Sequence, residues 1–67
     1  SFDRAMVDFR NRRDKLLSNS DWTQLPDVSL SETVLNQWKT YRQDLGDLTN
    51  GLSTIENINS VTWPEAP

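Results

Sequence analysis

Residues 21–27 read Asp21-Trp22-Thr23-Gln24-Leu25-Pro26-Asp27, and we call this stretch the hinge because a helix-patterned segment lies on each side of it. It holds one of the chain's three tryptophans, close to a proline that is incompatible with a helix interior. A short connection rarely contains large apolar side chains, because an exposed indole contributes nothing to folding. We therefore predict that Trp22 and Leu25 fold back onto the two helices and cover the open end of a hairpin.

The segment before the hinge has apolar residues at helical spacing. Residues at intervals of three and four share one face: Phe2, Met6, Phe9, Leu16 and Leu17, with Arg13 interrupting the stripe. Asp8 and Arg12 are four residues apart, which predicts an ion pair on the helix surface. The pattern predicts a helix over about 2–17 and a loop over 18–28, where Pro26 forces Leu25 into an extended conformation.

The segment after the hinge begins with a helix-start signal. Ser29 and Glu32 have the spacing of a capping box, in which each side chain accepts from the other residue's backbone N–H. A narrow apolar seam then follows at steps of four and three: Val34, Trp38, Tyr41, Leu45 and Leu48. We predict a second helix over about 30–48 that packs against the first as a hairpin.

The remaining residues give weaker signals. Asn50 and Gly51 predict a turn, and Ser53 with Glu56 is a second capping-box pair ahead of a short turn or helix over 52–59. Residues 60–67 contain two prolines and predict an extended tail. The predicted fold is all-α: a small antiparallel helical hairpin with a Trp-Pro loop between the helices and an extended Pro-rich C-terminal tail.

The length and the first residue bear on domain organisation. A chain of 67 residues forms one small module at most. The first residue is Ser1 and not methionine, and a helical pattern is already under way at Phe2. We therefore expect residues 1–67 to be the C-terminal part of a longer chain.

Composition argues against several classes of function. The chain has no cysteine and no histidine, so it lacks thiolate ligands and the usual proton shuttle near neutral pH. No metalloprotease, phosphate-loop or calcium-loop motif is present. The net charge of −3 is divided into +2 over residues 1–17 and −5 over the rest, which disfavours nucleic acid as a partner. We predict a non-enzyme with no cofactor, no metal site and no membrane span.

The aromatic residues and the basic run each admit two interpretations. Trp22, Trp38, Tyr41 and Trp63 either form the core of a very small fold or include a partner anchor, for which Trp63 in the Pro-rich tail is the best candidate. The basic run over 10–15 is either a solvated helix face or a site for an acidic partner. Arg42 is placed to reach an acid of the hinge, Asp21 or Asp27, and we predict a two-pronged ion pair there.

Four blocks of the chain together carry a family resemblance. They are RNRRDKLL at residues 10–17, SDWTQLPD at 20–27, WKTYRQDL at 38–45 and WPEAP at 63–67. In this order and spacing they resemble the phage tail assembly chaperone family, whose members are often labelled tail fibre assembly proteins. Gly46 departs from that pattern, since the family usually has an arginine there, and residues 49–60 add no support.

The resemblance implies a non-catalytic protein that helps phage tails or tail fibres to assemble. It implies a tail or tail-fibre protein as partner, a location in the host cytoplasm during assembly, and no nucleic-acid or membrane partner; self-association stays open. The alternative is a structural terminal domain that remains in the virion tail. The residues that define the module or contact the partner are predicted to be Trp22, Leu25, Pro26, Trp38, Tyr41, Arg42, Trp63 and Pro64.

Overall fold

The structure, a computed structural model that describes all of residues 1–67, contains helices, turns and loops but no strand. Helix α1 spans Phe2–Asn19, a 3₁₀ turn spans Asp21–Gln24, helix α2 spans Glu32–Asp47 and helix α3 spans Ile55–Asn59. Residues 61–67 follow α3 without regular secondary structure. The predicted all-α fold is confirmed.

The start of α2 differs from the prediction. Its N-cap is Ser31, whose hydroxyl accepts the Val34 N–H at 3.2 Å. The expected capping role of Ser29 is wrong, because the backbone up to Ser31 stays outside the helix. Ser31 offers the same hydroxyl two residues later and still places Glu32 in the first turn, where the helix dipole favours an acid.

The start of α3 shows the same kind of shift. Thr54 and Asn57 form a reciprocal capping box, in which the Asn57 N–H donates to Thr54 Oγ1 at 3.1 Å and the Thr54 N–H donates to Asn57 Oδ1 at 3.2 Å. The expected pair of Ser53 and Glu56 is therefore wrong by one residue. Ahead of α3, Gly51 takes φ of 80°, a left-handed conformation that suits the predicted turn.

The antiparallel hairpin of α1 and α2 is staggered. Arg42, in the third turn of α2, contacts the Leu17 carbonyl in the last turn of α1 at 2.7 Å. The first two turns of α2 therefore lie beyond the end of α1. This offset agrees with the long axis of 43 Å, since an 18-residue helix is only about 27 Å long.

The core lies where α1 and the second half of α2 overlap. Its buried apolar side chains are Met6, Phe9, Tyr41 and Leu45, and Leu45 is fully buried. All other members of the two predicted apolar stripes are partly buried, so the helical periodicity identified the inward faces.

The tail returns to α1 through Trp63. Its ring centroid lies 4.8 Å from that of Phe9, and the Arg12 guanidinium carbon lies 4.1 Å from the ring centroid, a cation–π contact. The predicted Asp8–Arg12 ion pair is wrong, because Arg12 is engaged by Trp63 and Asp8 instead pairs with Arg4 at 3.4 Å. None of the helices has the length and apolar character required to cross a membrane.

Candidate partner-binding site

Ser20 and Thr23 build the start of the hinge. Ser20 is at once the C-cap of α1 and the N-cap of the 3₁₀ turn, and its hydroxyl donates to the Leu16 and Leu17 carbonyls at 3.1 and 3.0 Å. Thr23, which is fully buried, donates from Oγ1 to the Ser20 carbonyl at 2.7 Å. These short hydroxyl side chains bond to nearby backbone, which favours a tight turn over further helix.

Arg42 ties this turn to α2. Its Nη1 donates to the Leu17 carbonyl and to the Ser20 hydroxyl, both at 2.7 Å. Its Nη2 donates to Asp21 Oδ1 at 2.8 Å. The predicted link from Arg42 to a hinge acid is thus present at Asp21 and not at Asp27. The two-pronged carboxylate pair is wrong, because the guanidinium divides its donors among three acceptors.

The position of Arg42 also complements the end of α1. The last carbonyls of a helix lack intrahelical partners and carry partial negative charge, so a cation there is stabilising. The last turn of α1 contains no basic residue of its own. Arg42 supplies that cation from the neighbouring helix, and its side chain is only 22% exposed, which strengthens the electrostatic interaction. The hinge is therefore rigidly connected to both helices.

Trp22 does not cover the end of the hairpin as predicted. It is 48% exposed, and Leu25 is 55% exposed. The stagger explains the difference, because α1 has ended at this level and only α2 remains for Trp22 to contact. The inward position of the 3₁₀ turn is taken by Thr23 instead of Trp22.

The aromatic side chains of the hinge and α2 form a continuous series. Trp22 meets Trp38 edge to face at 5.7 Å, and Trp38 meets Tyr41 edge to face at 5.7 Å. Edge-to-face contacts of this kind stabilise aromatic pairs beyond the area they bury. Trp22 is thereby held in place on one side while its other side faces solvent.

Leu25 and Pro26 extend the exposed apolar area. Leu25 has φ of −69° and ψ of 143°, the extended conformation expected before Pro26, and Pro26 is exposed. We define the hinge surface as Trp22, Leu25 and Pro26. It is an exposed apolar patch. The hinge that carries it is held in place by contacts of Trp38, Ser20, Thr23 and Arg42.

The predicted site residues divide into two groups. The structure brings Trp22, Trp38, Tyr41 and Arg42 together at the hinge. Trp63 lies elsewhere, half-buried against α1, where Phe9 and Arg12 already occupy its ring. A partner-anchoring role for Trp63 stays a prediction, and Trp22 offers more free surface.

The sequence marks Ser20 only as part of the polar stretch 18–21 that ends the first helix, and it does not single out Thr23. Ser20 and Thr23 are the only buried polar residues of the chain. The available signal was their spacing of three around a helix stop, which is typical of serine and threonine side chains that bond to local backbone.

The polar groups at the start of the hinge are bonded to one another and to the backbone. The Ser20 hydroxyl donates to the backbone and accepts from the Arg42 guanidinium. No group of three or more carboxylate, histidine or cysteine side chains is placed to hold a metal ion.

Comparison with known proteins gives one match. A family model described as phage tail assembly chaperone protein matches residues 6–67, which is nearly the whole chain and includes the hinge, α2, α3 and most of α1. No curated protein and no solved structure matches the chain.

Proposed function

The chain belongs to the phage tail assembly chaperone family, and we propose that it is a non-catalytic module that binds a phage tail or tail-fibre protein while the tail assembles in the host cytoplasm. The family membership supports the chaperone role. The choice of a tail or tail-fibre protein as the bound partner, and of the hinge surface as the place where it binds, is our proposal.

The observation that carries the proposal is the exposed Trp22 on a rigid support. Tryptophan is enriched among the residues that contribute most to protein–protein binding. An apolar group already held in one conformation loses little entropy on binding. Trp38 and the Arg42 hydrogen bonds hold the hinge in this way, so Trp22 and Leu25 are presented to a partner without prior rearrangement.

A complementation experiment tests the proposal. A phage that lacks the gene for this chain is supplied with the full-length wild-type protein or with the variant Trp22→Ala/Leu25→Ala. The matched control is Val7→Ala/Ile55→Ala, which removes apolar side chains of similar exposure, 45% and 44%, outside the hinge. We expect the wild-type protein and the control to restore phage yield, and the hinge variant to fail at a normal level of folded protein by circular dichroism.

The alternative of a virion component is decided by mass spectrometry of purified particles. A chaperone leaves the assembled tail, so we expect the chain to be absent or far below the copy number of tail proteins. A stoichiometric amount in washed particles would contradict the chaperone role and favour a structural domain of the tail.

A further inference from the structure

The structure contains a second candidate site, which involves α2 and the C-terminal tail. An open groove of about 890 Å³ lies between α2 and the C-terminal tail. Thr33, Gln37, Tyr41 and Asp44 contribute to its α2 wall, and Pro64 and Glu65 contribute to its tail wall. The groove exists because Trp63 fixes the tail to α1, which leaves residues 64–67 running beside α2 without filling the space.

The charged side chains that line the groove are all negative. The groove has two carboxylates, Asp44 and Glu65, and no cationic side chain among its lining residues. Neither carboxylate takes part in an ion pair within the chain. Arg42 of α2 is engaged by Leu17, Ser20 and Asp21. The groove therefore favours a positively charged occupant.

Tyr41 supplies an independent indication of a ligand. Tyr41 is buried, with only 6% of the residue exposed, and it lines the groove. Its hydroxyl makes no hydrogen bond within the chain. No fully enclosed polar atom of the chain lacks a partner, so the Tyr41 hydroxyl is not fully enclosed and keeps access to solvent. The hydroxyl of a largely buried phenol usually has a hydrogen-bond partner, and here that partner is water or a bound ligand.

We propose that this groove binds an extended, arginine-containing segment of the partner protein. The guanidinium lies between Asp44 and Glu65, because its planar donors match carboxylate geometry. The Tyr41 hydroxyl accepts from the same guanidinium or from the backbone of the segment. The proposal rests on the proposed function only in assigning the arginine-containing segment to the protein's partner. The groove would then be a second contact with that partner, in addition to the hinge surface.

A peptide titration followed by amide NMR tests the groove without any tail protein. The probe is a capped hexapeptide of alternating arginine and serine, and the matched control peptide has citrulline in place of arginine, which keeps the length and removes the charge. We expect the arginine peptide to shift the amide signals of Gln37, Thr40 and Asp44 in a saturable way, and to bind more weakly at high salt. The citrulline peptide should leave them unchanged.

Three groove variants and one control complete the test. Tyr41→Phe keeps the buried ring and removes only the hydroxyl, while Asp44→Asn and Glu65→Gln remove one charge each. We expect each of them to weaken the peptide several-fold. Asp47→Asn removes an exposed acid of α2 outside the groove and should have no effect.

Two results would overturn the proposal. The first is that both peptides shift the same signals equally, or that the groove variants bind like the wild type. The second is that sedimentation shows a dimer that Asp44→Asn converts to monomer, in which case the occupant is a second copy. Either failure leaves the hinge complementation result intact, so the two sites are tested separately.

Discussion

Arg42 is the residue that links the hinge to the helices. A single guanidinium satisfies the end of α1, the Ser20 hydroxyl and the Asp21 carboxylate. The long and always charged side chain makes such a contact predictable from sequence, once the two segments are taken to form a hairpin. The exposure of Trp22 was not predictable in this way. It depends on how far α2 is displaced along α1, and the local sequence pattern does not determine that displacement.

Replacing Arg42 should loosen the hinge and destabilise the fold. Arg42→Ala leaves the Leu17 carbonyl and the Ser20 hydroxyl without their charged donor. A hydrogen bond to a charged group contributes about 1.5–3 kcal/mol to stability. We expect a loss of about 1–3 kcal/mol in the free energy of unfolding, measured by urea denaturation. Asp21→Asn is the control, since its carboxylate is 65% exposed and an exposed ion pair contributes less than about 1 kcal/mol. Equal losses in the two variants would contradict the role given to Arg42.

Two leucines of opposite exposure test the assignment of the core. Leu45→Ala removes a fully buried side chain and should cost about 2–5 kcal/mol. A domain of this size has only about 3–5 kcal/mol from its core, so we expect this variant to be largely unfolded at room temperature. Leu25→Ala is the same chemical change at an exposed position and should leave the thermal midpoint nearly unchanged. A large loss for Leu25→Ala would mean that the hinge surface belongs to the core.

The helices follow from the sequence in number and in the face that they bury. The spacing of Met6 with Phe9, and of Tyr41 with Leu45, predicted the inward faces of the helices. Apolar residues three or four positions apart lie on the same side of a helix, and that side is the one that is buried. The helix starts were less predictable. Ser29 and Ser31 are two residues apart and offer the same hydroxyl, so only the path of the hinge decides which of them caps α2.

The cap assignment gives a prediction at the scale of the element. Ser31→Ala removes the hydroxyl that accepts the Val34 N–H and should cost about 1 kcal/mol, the usual value for an N-cap. Ser29→Ala should have almost no effect, because Ser29 is exposed and makes no side-chain hydrogen bond. Thermal melts of the two variants by circular dichroism make the comparison, and the reverse order of effects would restore the capping box at Ser29.

At the scale of the whole molecule, the staggered hairpin and the C-terminal tail form two candidate surfaces. The hinge and its exposed tryptophan lie beside the first turns of α2, and the tail lies along another face of the same helix. The stagger explains the exposed apolar patch, and the contact of Trp63 with α1 explains the open groove. The residues of the hinge surface were named from the sequence, but their exposure was not predicted. The groove was not predicted at all, because it depends on a contact between distant segments, that of Trp63 with Phe9.

The tail contact is testable through Trp63. Trp63→Ala removes the side chain that packs on Phe9 and Arg12, so we expect residues 61–67 to detach and the groove to disappear. Amide hydrogen exchange should show faster exchange in the first half of α1 and in α3, with α2 and the hinge little changed. Uniformly faster exchange throughout the chain would show instead that the tail is required for the whole fold.

Site-specific photo-crosslinking at the hinge tests the central claim most directly. A photoreactive phenylalanine analogue replaces Leu25 in the full-length protein during phage infection, and the matched control places it at Val7, which is 45% exposed and about 20 Å along α1 from the hinge. We predict a covalent adduct with one tail or tail-fibre protein from position 25 and none from position 7. The absence of a tail-protein adduct at position 25, or equal adducts from both positions, would contradict the claim that the hinge is the surface by which this chaperone holds its partner.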